Sequence, residues 1–187
     1  TLNAWEEVAL AERLIALHPW ADMARFARSG GEVLAIAVRI ARAATGRDFV
    51  AMCGYHGWQD WYLAANLLNS SDALKDHLLP GLSSRGVPSG LRGSVIPFGY
   101  NNFEEFRSVT AEEGGRLAAI VMEPVRSDMP EPGFLEEVRA TADRLGAVLI
   151  FDEVTAGFRM NPGGVHLTLG VEPDLAVFAK ALGNGYP

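Results

Sequence analysis

The sequence predicts an α/β domain with a mainly parallel sheet flanked by helices. Short apolar runs bounded by turn residues recur at Asp48–Cys53, Ser94–Phe98, Arg116–Glu123, Ala147–Phe151 and Leu175–Ala179, the pattern of buried parallel strands. Segments with helical apolar spacing alternate with them, and the short helix-to-strand connections favour right-handed crossovers. Two of the last runs each lead straight into one ionisable residue, Asp152 and Lys180. Ligands of open α/β sheets bind outside the carboxyl ends of the strands, so an acid and an amine are expected to share one crevice.

Taken in order, Leu2 to His18 reads as a helix with Leu10, Leu14 and Leu17 on one face and Trp5 and Val8 off it, stopped at Pro19. Met23–Ala27 is assigned as a short strand leading to Ser29-Gly30-Gly31-Glu32. A helix from Glu32 to Ala44 places Leu34, Ala37, Val38 and Ala41 on one face and closes at Thr45-Gly46. The strand at Asp48–Cys53 is followed by Gly54-Tyr55-His56-Gly57. Trp58 to Leu68 is predicted helical through Trp61, Leu63, Leu67 and Leu68, and Asn69 to Gly93 irregular. The strand at Ser94–Phe98 precedes a helix over Asn102–Glu113, capped by Asn101 or Asn102. The Arg116–Glu123 strand ends in a carboxylate, and Gly133–Gly146 is an amphipathic helix bearing Phe134, Leu135, Val138 and Leu145. The Ala147–Phe151 strand with Asp152, a loop from Gly157, the segment Val165–Leu169 and the Leu175–Ala179 strand with Lys180 complete the series.

Composition narrows the function. The 187 residues suffice for one well-buried domain, and a hydrophobic share of 49% with 21% charged residues is ordinary for a globular chain. A net charge of −7 argues against a nucleic-acid surface, which needs a basic face. The start is not signal-like and no long apolar span occurs, so a cytoplasmic setting without membrane partners is expected. Cys53, the single cysteine, lies in an apolar run and reads as a core thiol. His18, His56, His77 and His166 are scattered, which argues against a zinc site. Of the 16 basic residues only Lys75 and Lys180 are lysines. Lys75 lies among polar residues, whereas Lys180 follows an apolar run, and a buried lysine that loses its charge becomes a nucleophile.

Four strand ends or turns therefore present Gly30-Gly31, Tyr55, Asp152 and Lys180. A planar, phosphorylated ligand with a ring nitrogen and a carbonyl answers all four, and pyridoxal 5'-phosphate (PLP) is such a ligand. Ser29, Gly30 and Gly31 would offer helix N-terminal N–H groups to its phosphate. Tyr55 would cover one ring face, Asp152 would pair with the ring nitrogen, and Lys180 would form a Schiff base and then shuttle protons. Singly, each feature has a plainer reading: a capped helix start, a turn aromatic, a core-edge aspartate and a snorkelling lysine. Glu123 could line the same crevice or face solvent. A nucleotide-binding α/β module is disfavoured, because no Gly-x-Gly-x-x-Gly fingerprint or Walker-type lysine occurs. A non-catalytic homologue is disfavoured by the intact Asp152 and Lys180.

These motifs resemble, in order, those of class III aminotransferases: Ser29-Gly-Gly-Glu32, Gly54-Tyr-His-Gly57, Met122-Glu-Pro-Val125, Phe151-Asp-Glu-Val-Thr-Ala-Gly-Phe-Arg159, and Gly170-Val-Glu-Pro-Asp-Leu175 through Ala179-Lys180. The Tyr-His-Gly and Gly-Phe-Arg motifs look most similar to the glutamate-1-semialdehyde 2,1-aminomutase branch. The resemblance implies the large domain of a fold-type-I PLP-dependent transferase, acting on small amino donors and acceptors, usually as a homodimer with active sites at the subunit interface. It implies Asp152 and Lys180 as catalytic residues, and His56 and Val154 as cofactor-binding beside Ser29, Gly30, Gly31 and Tyr55. Val154 would pack on the ring face opposite Tyr55. Transfer of an amino group between two substrates is the leading expectation, and an intramolecular amino shift is the alternative. Two positions depart from the family pattern: Gly31 stands where a threonine is common, removing a hydroxyl, and Thr155 follows Val154 where glutamine or methionine is common. Arg28 stands where many members carry a small polar residue; it could add a cation near the phosphate or face solvent. Residues 1–187 would form the central part of the PLP-binding large domain, truncated at both ends and lacking a small C-terminal domain, so the piece alone is expected to be inactive and marginally stable.

Overall fold

A computed structural model describes residues 4–67 and 81–185. Five strands form one wholly parallel sheet: β1 (Phe49–Cys53), β2 (Val95–Pro97), β3 (Leu117–Met122), β4 (Val148–Asp152) and β5 (Leu175–Val177), in the spatial order β2-β1-β3-β4-β5. The chain steps outward from β1 to β2 and then returns past β1 to lay down β3. The order thus reverses between β1 and β3, and a crevice opens there at the carboxyl ends of the strands. All five strands coincide with apolar runs of the sequence.

Side chains alternate between the two faces of the sheet. Val50, Met52, Ala119, Val121, Ile150 and Val177 meet Leu34, Ala37, Val38 and Ala41 of α2 (Gly30–Thr45) on one face. On the other, Ala51, Cys53, Ile120, Met122, Leu149 and Phe151 meet Phe106 of α4 (Phe103–Glu113) and Phe134, Val138 and Ala142 of α5 (Phe134–Leu145). α2 begins where Ser29 Oγ accepts the Glu32 N–H at 3.2 Å and ends at Gly46, whose positive φ of 67° forms the left-handed cap. Asn102 caps α4 by accepting from Glu105 N at 3.0 Å.

Several expectations are corrected. Met23–Ala27 forms no strand; it is irregular, with Met23 87% exposed, because the sheet has no place for a run that buries so little. The Trp58–Leu68 helix shrinks to α3 (Asp60–Leu63), which tightens into a 3₁₀ turn over Ala64–Leu67. Leu68 and the part of the irregular stretch up to residue 80, with Lys75 and His77, lie outside the described residues. Residues 81–93 are irregular apart from a 3₁₀ turn at Ser89–Leu91. The first helix, α1 (Trp5–Leu17), buries no residue; Leu14 is half-buried while Leu10 and Leu17 are exposed. Val165–Leu169 contains the short α6 (His166–Leu169). Two of the scattered histidines come together: the His18 and His166 rings stack at 5.5 Å. No helix among the described residues is long and apolar enough to cross a membrane.

Phe134 is fully buried and joins α5 to α4 through edge contacts with Phe103 and Phe106 at 5.1 and 6.3 Å. Phe134→Ala is expected to cost about 3–5 kcal/mol of stability, measurable by urea unfolding of the full-length protein.

Candidate active site

The parallel register sets Cys53, Met122 and Phe151 in one row across β1, β3 and β4. One residue further on, Gly54, Glu123 and Asp152 are neighbours at the strand ends. By alternation Asp152 shares its face with Ile150, the face covered by α2. It is only 4% exposed, and a buried carboxylate needs partners. His56 Nδ1 donates to Asp152 Oδ2 at 2.8 Å, and Val154 N donates to Oδ1 at 2.9 Å. His56 is fully buried, and its Nε2 donates to the Cys53 carbonyl at 3.0 Å. The ring thus bridges the Asp152 carboxylate and the Cys53 carbonyl. His56 is therefore a partner of Asp152.

The start of α2 docks against the same turn. A Cβ added to Gly30 would lie 3.1 and 3.2 Å from the Val154 methyls and 3.6 Å from Ala179 Cβ. The helix N-terminus, the residue two beyond Asp152 and the residue before Lys180 are thus one packing unit. Lys180 itself is exposed, contrary to the buried position expected, because it stands three residues beyond the end of β5 on a turn with φ of 46°. Its Nζ donates to Thr155 Oγ1 at 3.0 Å. Thr155, noted in the sequence only as a departure from the family pattern, is thereby the partner of the amine; no signal along the chain links the two. Tyr55 is half-buried against the α2-side core and meets the Tyr62 ring edge-on at 5.8 Å.

Glu123 is buried at the floor of the crevice, and only glycine at residue 54 leaves room for it, since a Cβ there would overlap its Oε2. Oε2 lies 3.4 Å from the Tyr55 N–H and 3.2 Å from Arg126 Nε, an ion pair without hydrogen-bond alignment. Burial pushes the Glu123 carboxyl up; the His56 and Arg126 charges oppose this and Asp152 adds to it. Burial likewise pushes the Cys53 thiol up to about 12, so it stays protonated as a core group. Glu153, which sequence reasoning left unassigned, is fully buried and accepts from His166 N and Nδ1 at 2.8 and 2.7 Å, tying the turn after β4 to α6.

The donor set fits PLP: helix N-terminal N–H groups at one end, a buried carboxylate at the other, and a primary amine and an aromatic ring between them. The close packing of Gly30 on Val154 makes the cradle continuous.

Glu123 generates a pH test. Its native pKa is raised above the unfolded value of about 4.3, so the stability it contributes is complete below that value and lost as pH rises through the native one. Thermal unfolding should show Glu123→Gln melting progressively higher relative to the parent as pH climbs through that window, then a constant difference. A difference independent of pH between 4 and 8 would refute the assignment.

The sequence model of the family described as "Aminotransferase class-III" matches residues 2–187. A glutamate-1-semialdehyde 2,1-aminomutase of Syntrophobacter fumaroxidans is 40% identical over 187 residues, covering 97% of this chain and 42% of that protein. Among solved structures, an omega-transaminase from Sphaerobacter thermophilus superposes with a TM-score of 0.84 at 31% identity, over all of this chain and 44% of its own. A transaminase solved with PLP bound gives 0.85 at 30%, over all of this chain and 43% of its own. The chain thus spans less than half the length of the relatives it matches. Matched along nearly its whole length, with the strand order, the paired aspartate and the lysine turn already in place, the chain belongs to the class-III aminotransferase family of PLP-dependent enzymes and has the fold-type-I large-domain architecture.

Proposed function

We propose that this protein moves an amino group with PLP, and that residues within 4–67 and 81–185 supply the cofactor's floor, phosphate end and reactive amine. The observation that carries the reading is the packing of the α2 N-terminus at Gly30 against both Val154, which donates to Asp152, and Ala179 of the Lys180 turn. When bound, the cofactor supplies a carbonyl that condenses with amines and a ring that draws electrons from the substrate's α-carbon. The first N–H groups of α2, with Ser29, Gly30 and Gly31, hold its phosphate. Tyr55 and Val154 confine the ring from opposite faces. Asp152, fixed by His56 and Val154 N, holds a proton on the ring nitrogen. Lys180 would supply the amine that holds the carbonyl and the group that carries protons at the α-carbon.

Lys180→Ala in the full-length protein is expected to abolish covalent fixation of PLP by borohydride and to lower turnover by about 10²–10⁴. Retained fixation, read by mass spectrometry, would overturn the role of Lys180.

Between the two forms of amino transfer, the intramolecular shift has the better support and displaces the two-substrate reaction from first place. The 40% relative is an aminomutase, and the transaminase structures match at 31% and 30%. Full-length protein given glutamate 1-semialdehyde alone should isomerise it without an added keto acid. An absolute requirement for a keto-acid acceptor would restore the two-substrate reading. The same proposal takes the assembled enzyme as a homodimer, which light scattering of the full-length protein tests.

A further inference from the structure

The turn after β1 is gripped by one side chain of α3. Tyr62 is fully buried, and its hydroxyl donates to the Gly54 carbonyl at 3.1 Å. Its ring meets the rings of Tyr55 and His56 edge-on, each at 5.8 Å with 87° between the planes. Gly54, Tyr55 and His56 thus all meet the same phenol. Burial pushes that phenol well above its ordinary pKa, so it stays protonated and keeps its donor. The Gly54 carbonyl and the Tyr55 N–H belong to one peptide unit, and the N–H side is held as well, donating to Glu123 Oε2 at 3.4 Å. A planar peptide held at both its oxygen and its nitrogen resists rotation. That plane sets the direction in which the Tyr55 side chain leaves the backbone. His56, the next residue, is tied separately to Asp152 and to the Cys53 carbonyl.

We propose that Tyr62 is a positioning residue of the cofactor site: its hydroxyl, opposite Glu123, clamps the Gly54–Tyr55 peptide, and its ring backs Tyr55, so that Tyr55 is presented to the cofactor at a fixed angle. The inference rests on the reading of Tyr55 as the cover of one face of PLP. Tyr62 acts through Tyr55 and not on the cofactor itself. Precision matters in such a contact, because a gap of about 0.5–1 Å already forfeits a quarter to a half of the dispersion attraction between two surfaces. A phenylalanine at 62 keeps the edge contacts and loses only the clamp, so the hydroxyl separates positioning from packing.

The test is a double-mutant cycle on PLP affinity in the full-length protein. Tyr62→Phe is expected to weaken PLP about three- to tenfold. It should also lower the circular dichroism of the cofactor's visible band at saturating PLP, a signal that reports how the ring is seated. Tyr55→Ala should weaken PLP by itself, and in that background Tyr62→Phe should change the affinity by less than about twofold, because the residue it acts through is gone. Thermal unfolding of each apoprotein gives the folding cost of losing the hydroxyl, which is common to both backgrounds and cancels in the cycle. Equal losses in both backgrounds, or an unchanged affinity and dichroic band when Tyr55 is present, overturn the role of Tyr62 while borohydride fixation in the parent leaves the cofactor site standing. A Tyr55→Ala protein that binds PLP as the parent does removes the ring cover and the role of Tyr62 with it. A parent that binds no PLP overturns the cofactor site and the inference together.

Discussion

A carboxylate buried at the end of a central strand constrains everything around it. Desolvating an ion costs several kcal/mol unless its oxygens are paired, and Asp152 meets that demand with a ring delivered from the turn after β1, two strands away, and an N–H from its own turn. His56 reaches it only because the turn after β1 doubles back, and that turn is held by the bond from His56 to Cys53 and by the Tyr62 hydroxyl donating to Gly54 O at 3.1 Å. Glu123 fits beneath only because residue 54 has no side chain. The pairing of one aspartate thus fixes the paths of the chain leaving β1, β3 and β4.

The second constraint is contact between the ends of the site. A helix N-terminus alone attracts anions weakly, and the effect fades within a turn. Here the first residue of α2 packs on Val154, which in turn donates to Asp152, so the anion-binding end and the carboxylate end cannot drift apart independently. Such coupling holds a ligand that must be gripped at both ends at one fixed length.

Much of this was legible in the sequence, and the reason is periodicity. Strands β1, β3, β4 and β5 are apolar on both faces, so their runs stand out, and the ionisable residues at their ends mark the crevice. Strand order was not legible, since it depends on contacts between distant segments. Met23–Ala27 misled because five residues of mixed polarity carry no information about whether a sheet edge is available to them. The partnerships His56–Asp152 and Lys180–Thr155 were invisible for the same reason: each joins residues that only the folded turns bring together. Glu153 was masked by its neighbour, because the Asp-Glu pair gives no sign which acid faces the crevice. Alternation decides it, sending Asp152 to the α2 side and Glu153 toward α6.

Burial divides the two reactive groups in a way that suits different tasks. In the proposed role Asp152 would hold one proton at one place, and a side chain fixed by bonds to both oxygens loses little by never moving. Lys180 in its proposed role would need reach toward a substrate carbon, which a packed, buried side chain could not supply without unpacking. An exposed amine on a turn, restrained by one hydroxyl at 3.0 Å, keeps its direction while retaining its reach. Thr155 follows the Val154 turn that Asp152 organises, so the lysine is aimed by the same element that fixes the acid. The rigid end of the site therefore sets the starting point of its mobile end.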